Sequence, residues 1–91
     1  MGLRPQTGGR VSLDLVAAGA QGVVYRAGLY VPDADFAGEA RVDAAGAVRV
    51  EVAGAPEWLV EYARAFLRAE WRARQVVDPA PWPERLTRWR G

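Results

Sequence analysis

Between Arg10 and Val52 the apolar side chains fall on every second residue, in runs separated by turn signals. After Pro56 the spacing changes to that of a helix. A strand that buries one face alternates apolar and polar residues, whereas a helix repeats its apolar stripe every three to four. Successive half-buried strands followed by one amphipathic helix leave few ways to hide every stripe. The simplest is an antiparallel meander with the helix laid across its inner face.

The first run sets Val11, Leu13 and Leu15 against Arg10, Ser12 and Asp14. Beyond the small-residue stretch AAGAQG, Val23, Tyr25, Ala27, Leu29 and Val31 share one face, with Arg26 and Tyr30 on the other. Pro32-Asp33 starts a tight turn, because proline presets φ at the first central position. The third run places Phe36, Gly38, Ala40 and Val42 opposite to Ala37, Glu39, Arg41 and Asp43. Asp43-Ala44-Ala45-Gly46 has the residues of a type I turn closed by a left-handed glycine. That turn pairs Asp43 with Ala47, Val42 with Val48 and Ala40 with Val50, and Val52 extends the same face.

Pro56 suits the start of a helix, where its missing N–H costs nothing. From there to about Val77 the stripe is Leu59, Tyr62, Ala63, Phe66, Leu67, Ala73 and Val77. Trp58 and Trp71 flank it, and Glu57, Glu61, Arg64, Arg68 and Arg72 lie opposite. Acids come early and arginines late, the order that complements the helix dipole. Such a helix is about 30 Å long, against about 20 Å for a six-residue strand. Its last turns therefore need a cover. The tail supplies one: Pro79, Pro81 and Pro83 keep it extended, and residues 83–89 are predicted to form one or two helical turns with Trp82, Leu86 and Trp89 on one side.

The expected fold is α+β: a four-stranded antiparallel meander on one long C-terminal helix (ββββα), with a Pro/Trp-rich tail over the helix end. Residues 1–9 are a flexible lead-in, 10–77 a single domain, and 78–91 an extended to short-helical tail. The expected core is Val11, Leu13, Leu15, Tyr25, Leu29, Phe36, Val42, Val48, Val50, Leu59, Tyr62, Phe66 and Leu67.

Composition narrows the chemistry. The chain has no cysteine, histidine or lysine, which removes disulfides, thiolate and imidazole metal sites, Schiff bases and the strongest nucleophiles. Its only non-aromatic hydroxyls are Thr7, Ser12 and Thr87, so no Ser-His-Asp triad is available. Asp33-Ala34-Asp35 falls far short of a calcium loop. The expectation is a non-enzymatic protein with no cofactor and no metal. Isoleucine and asparagine are also absent, and every basic residue is arginine. Together these indicate a GC-rich, bacterial genome, so arginine usage partly reflects base composition. No apolar run is long enough to span a membrane, and a cytoplasmic location is expected.

Residues 1–63 carry five arginines against eight acids, a net −3, while residues 64–91 carry seven against three, a net +4. Two clusters stand out. If the second turn opposes Val31 to Phe36, then Arg26, Arg41 and Arg49 form one row on the outer sheet face, with Tyr30 nearby. That row reads as an anion platform, or as a solvated face neutralised by Arg41–Glu51 and Arg49–Glu39 diagonals. In the tail, Trp82, Arg85, Arg88 and Trp89 read as a docking patch or as side chains that finish the core. Glu70 enters the apolar sector of the helix, where Arg74 or a tail arginine would pair with it. The leading expectation is a protein-interaction module, in one version a homodimer, using apolar area at Val16, Val24, Tyr30 and Ala37 on the outer face. The alternative is weak nucleic-acid or anion binding through the arginines. The partner is expected to be a protein or a second copy, not a membrane.

Overall fold

The structure, a computed structural model, describes residues 7–76 and 82–90. Its elements are β1 (Gly9–Gly19), β2 (Gly22–Val31), β3 (Ala34–Asp43), β4 (Val48–Glu51), α1 (Glu57–Val76) and β5 (Arg85–Arg90). All pairings are antiparallel, and the order across the sheet is β4-β3-β2-β1-β5. The α+β class and the ββββα order follow the sequence pattern. The fifth strand does not.

The connections show why the meander closes as it does. Ala20-Gln21 and Pro32-Asp33 are two-residue links, so Gly19 pairs with Gly22 and Val31 with Ala34. At the third turn the Gly46 amide donates to the Asp43 carbonyl at 3.0 Å. The Asp43 carboxylate accepts from the amides of Ala45 and Ala47 at 2.9 and 3.0 Å. Gly46 has a φ of 90°, and a Cβ there would meet the Trp71 indole at 2.8 Å. Glycine is therefore required by conformation and by the close approach of Trp71.

One face of the sheet is the core. Val11, Leu13, Val23, Tyr25, Ala27, Leu29, Ala40, Val42 and Val50 are buried against Leu59, Ala63, Phe66 and Leu67 of α1. Leu15, Phe36, Val48 and Tyr62, expected in the core, pack around it as partly buried residues. The Pro56 carbonyl accepts from the amides of Leu59 and Val60, both at 3.1 Å, and so begins the helix. From Trp58 and Leu59 beside Gly9 at the start of β1, α1 crosses the inner face of the sheet diagonally to Trp71 beside Gly46 in the β3–β4 turn.

The expected helix overhang is largely removed. β1 continues past a bulge at Leu15/Ala17 and β3 begins at Ala34, giving strands of ten or eleven residues, about 33 Å. The twenty-residue helix, about 30 Å, matches them. The tail does not form helical turns over residues 83–89 but adds β5 beside β1. Leu86 lies opposite Leu13 and faces the core, whereas Trp89 lies opposite Arg10 and faces out. The driving force is the open edge of β1, whose unpaired N–H and C=O groups β5 satisfies. At its entry the Leu15 amide donates to the Glu84 carbonyl at 2.8 Å, and the Tyr25 hydroxyl donates to the Pro83 carbonyl at 2.7 Å. Trp82 keeps the covering role. Its ring stands edge-on to Tyr25 at 6.1 Å, with the Arg74 guanidinium 4.4 Å from its centroid.

Candidate interaction surface

No described element covers the sheet face opposite α1. Directly paired residues of antiparallel strands share a face, so the exposed side chains run in rows across the strands. The first row is Trp89, Arg10, Tyr30 and Asp35. The Arg10 guanidinium lies 5.0 Å from the Tyr30 centroid and 5.2 Å from that of Trp89, a cation held between two aromatic rings. The second row is small: Thr87, Ser12, Gly28 and Ala37. Gly28 lets Tyr30 lie flat, since a Cβ there would come within 2.7 Å of the Tyr30 hydroxyl.

Charge fills the third row: Arg85, Asp14, Arg26, Glu39 and Glu51. Arg85 Nε donates to Asp14 Oδ1 at 2.9 Å. Beyond it lie Ala17, Val24, Arg41 and Arg49. The expected line of Arg26, Arg41 and Arg49 is thus broken. Val31 opposes Ala34 rather than Phe36, which slides β3 by two residues against β2. Arg26 then faces Glu39, Arg41 faces Val24, and only Arg41 and Arg49 remain opposed. Arg41 Nε donates to Glu39 Oε1 at 2.8 Å along its own strand, in place of the expected pairing with Glu51. That hydrogen bond, with the charge of Glu39, raises the Arg41 pKa above its ordinary value. A three-arginine phosphate platform is not formed.

The tail residues separate by face. Arg85 and Trp89 are outward, Trp89 being 56% exposed, while Trp82 joins the core and Arg88 turns toward α1. The Arg88 guanidinium sits 4.8 Å from the Phe66 centroid and 3.8 Å from Glu70 Oε2. Arg74 holds the other Glu70 oxygen at 2.8 Å, so both expected partners of Glu70 are present. Arg10 of the stacked row was not singled out from sequence, and Asp35 was weighed only as part of the Asp33-Ala34-Asp35 turn. Only the pairing of β5 with β1 brings Trp89 to Arg10, and a tail read as helix hides that neighbour.

Among the described residues no helix is long and apolar enough to cross a membrane. No family model, no curated protein and no solved structure matches this chain.

Proposed function

We propose that this chain is a non-enzymatic protein-interaction module that works through the open face and free edge of its sheet. The observation that carries the reading is the Trp89–Arg10–Tyr30 stack on an uncovered face. Tryptophan, tyrosine and arginine are the residues most enriched at the energetic centres of interfaces, and rings already ordered lose little entropy when a partner arrives. The neighbouring row of Thr87, Ser12 and Ala37 gives a partner's side chains room beside them. Nucleic-acid binding is the less supported reading, because Arg26, Arg41 and Arg85 stand among Asp14, Glu39 and Glu51.

The test is a photo-crosslinking residue placed at Ala37 on the open face, with a control at Arg68 on the solvent side of α1. A discrete protein adduct is expected from position 37 and not from 68, and Trp89→Ala should abolish it while the circular dichroism spectrum is unchanged. Equal adducts from both positions, or tight binding of mixed-sequence RNA or DNA that survives physiological salt, would overturn the proposal.

A further inference from the structure

We infer that the partner at the free edge is a second copy of this chain, with β5 pairing antiparallel to β5 about a two-fold axis through Thr87. This rests on the interaction-module reading and names the partner of its free edge, leaving the open face around Ala37 to whatever the crosslink captures there. Two five-stranded sheets would become one of ten strands.

Backbone geometry comes first. Leu15 donates to Glu84, so in the β1–β5 ladder the groups of Glu84, Leu86, Arg88 and Arg90 point toward β1. The N–H groups of Arg85, Thr87 and Trp89 and the C=O groups of Arg85 and Thr87 therefore point to the outer edge, where no described strand lies. The Trp89 C=O accepts from the Tyr62 hydroxyl at 3.0 Å and keeps one lone pair for a further donor. Three consecutive outward-pointing residues form a ready template for another strand. The opposite edge, β4, has only four residues and is correspondingly poor. A second β5 must present its own outward groups, which restricts the register to steps of two residues.

Side chains then select among those registers. Centring on Thr87 places Thr87 opposite Thr87, Arg85 opposite Trp89, Leu86 opposite Arg88 and Glu84 opposite Arg90. Each is a favourable cross-strand pair: hydroxyl to hydroxyl, cation to aromatic, aliphatic stem to leucine, and carboxylate to guanidinium. Moving the centre to Arg88 would set two Arg88 side chains against each other. Moving it to Leu86 would set Arg85 opposite Thr87 and leave Trp89 beyond the paired residues.

The charges of β5 fit the Thr87-centred arrangement. Arg85 is already bonded to Asp14, and Arg88 lies beside Glu70. Arg90 rests over the Tyr62 ring at 5.7 Å, and the carboxylate facing it is Glu84 of the second copy. Trp89, with Arg10 on one side, receives Arg85 of the second copy on the other. The stack on the open face would thus run on across the junction. An interface of one strand per copy is small, so association should depend on concentration rather than be permanent.

The experiment joins sedimentation equilibrium of the full chain, from micromolar to millimolar, with amide exchange at both extremes. A monomer–dimer equilibrium is expected, with the amides of Arg85, Thr87 and Trp89 gaining protection as concentration rises. Those of Leu86 and Arg88, bonded to β1, should be protected throughout. Thr87→Pro removes an outward N–H without touching the β1 ladder and should leave a folded monomer. Should that variant fail to fold, Glu84→Arg should weaken the dimer about tenfold, and adding Arg90→Glu should restore it. A strict monomer at millimolar concentration, protection gained elsewhere, or a dimer indifferent to Glu84→Arg would overturn the inference. A monomer that still gives the adduct from Ala37 would remove the β5 dimer and leave the interaction-module reading intact.

Discussion

Replacing Tyr25 with phenylalanine removes one hydrogen bond and one alkaline titration together. The Tyr25 side chain is fully buried, and its hydroxyl donates to the Pro83 carbonyl at 2.7 Å. At neutral pH the loss should cost about 1 kcal/mol, the usual net value of such a bond. Burial pushes the Tyr25 pKa from 10.0 to about 12; the nearby Arg74 charge opposes this shift and Glu70 adds to it. The folded chain thus holds the proton more tightly than the unfolded chain. The linked stability is complete below pH 10 and is lost as pH rises toward 12. The loss reaches about 1.4 kcal/mol near pH 11 and at most about 3 kcal/mol beyond pH 12. The variant lacks this titration. It should be less stable than the parent at pH 7, equal near pH 11 and more stable above it. With no cysteine, histidine or lysine in the chain, few other groups titrate in that window. Urea unfolding followed by far-UV circular dichroism at stepped pH would measure both curves. Parallel curves with no crossing would refute the burial argument.

Phe66→Ala should cost roughly 3–5 kcal/mol and lower the urea midpoint steeply, because it empties the centre of the helix–sheet contact and leaves Arg88 without its ring. Gly46→Ala should cost about 2–4 kcal/mol in the same assay, by forcing a positive φ on alanine and by displacing the Trp71 indole. Glu70→Gln should cost about 1–3 kcal/mol, since Arg74 is largely buried beside it, with a smaller loss in the Glu70→Gln, Arg74→Met double variant on a double-mutant cycle.

The meander, the helix and most of the core were legible because each relies on a periodic pattern that burial enforces. The Asp43–Gly46 turn was legible because its side-chain and left-handed requirements are local. The sliding of β3 was not. A shift of two residues keeps every side chain on its own face, so Leu29 can meet Phe36 as easily as Val31 can, and burial does not choose between them. Only the length of the Pro32-Asp33 link decides, and it moves Arg26 from Arg41 to Glu39. β5 was hidden for a different reason. Its inward residues are Leu86, Arg88 and Arg90, and the arginines cover apolar rings with their stems and planar heads. No period-two apolar signal results, while Leu86 and Trp89, three apart, resemble one side of a helix.

The pairing of Gly9 with Arg90 also sets an order of events during folding. The three hairpins of the meander close through short links and need no help from distant sequence. If β5 met β1 in an otherwise open chain, it would close a loop of about seventy residues. That costs about 3 kcal/mol more entropy than closing a hairpin. Once the meander has formed and α1 has docked on it, only the short stretch between Val76 and Arg85 remains to be closed. The economical route is therefore to add β5 last, onto a sheet edge that stays bare until then. During that interval β1 is open to strand exchange, and β5 of another molecule can take the place of its own.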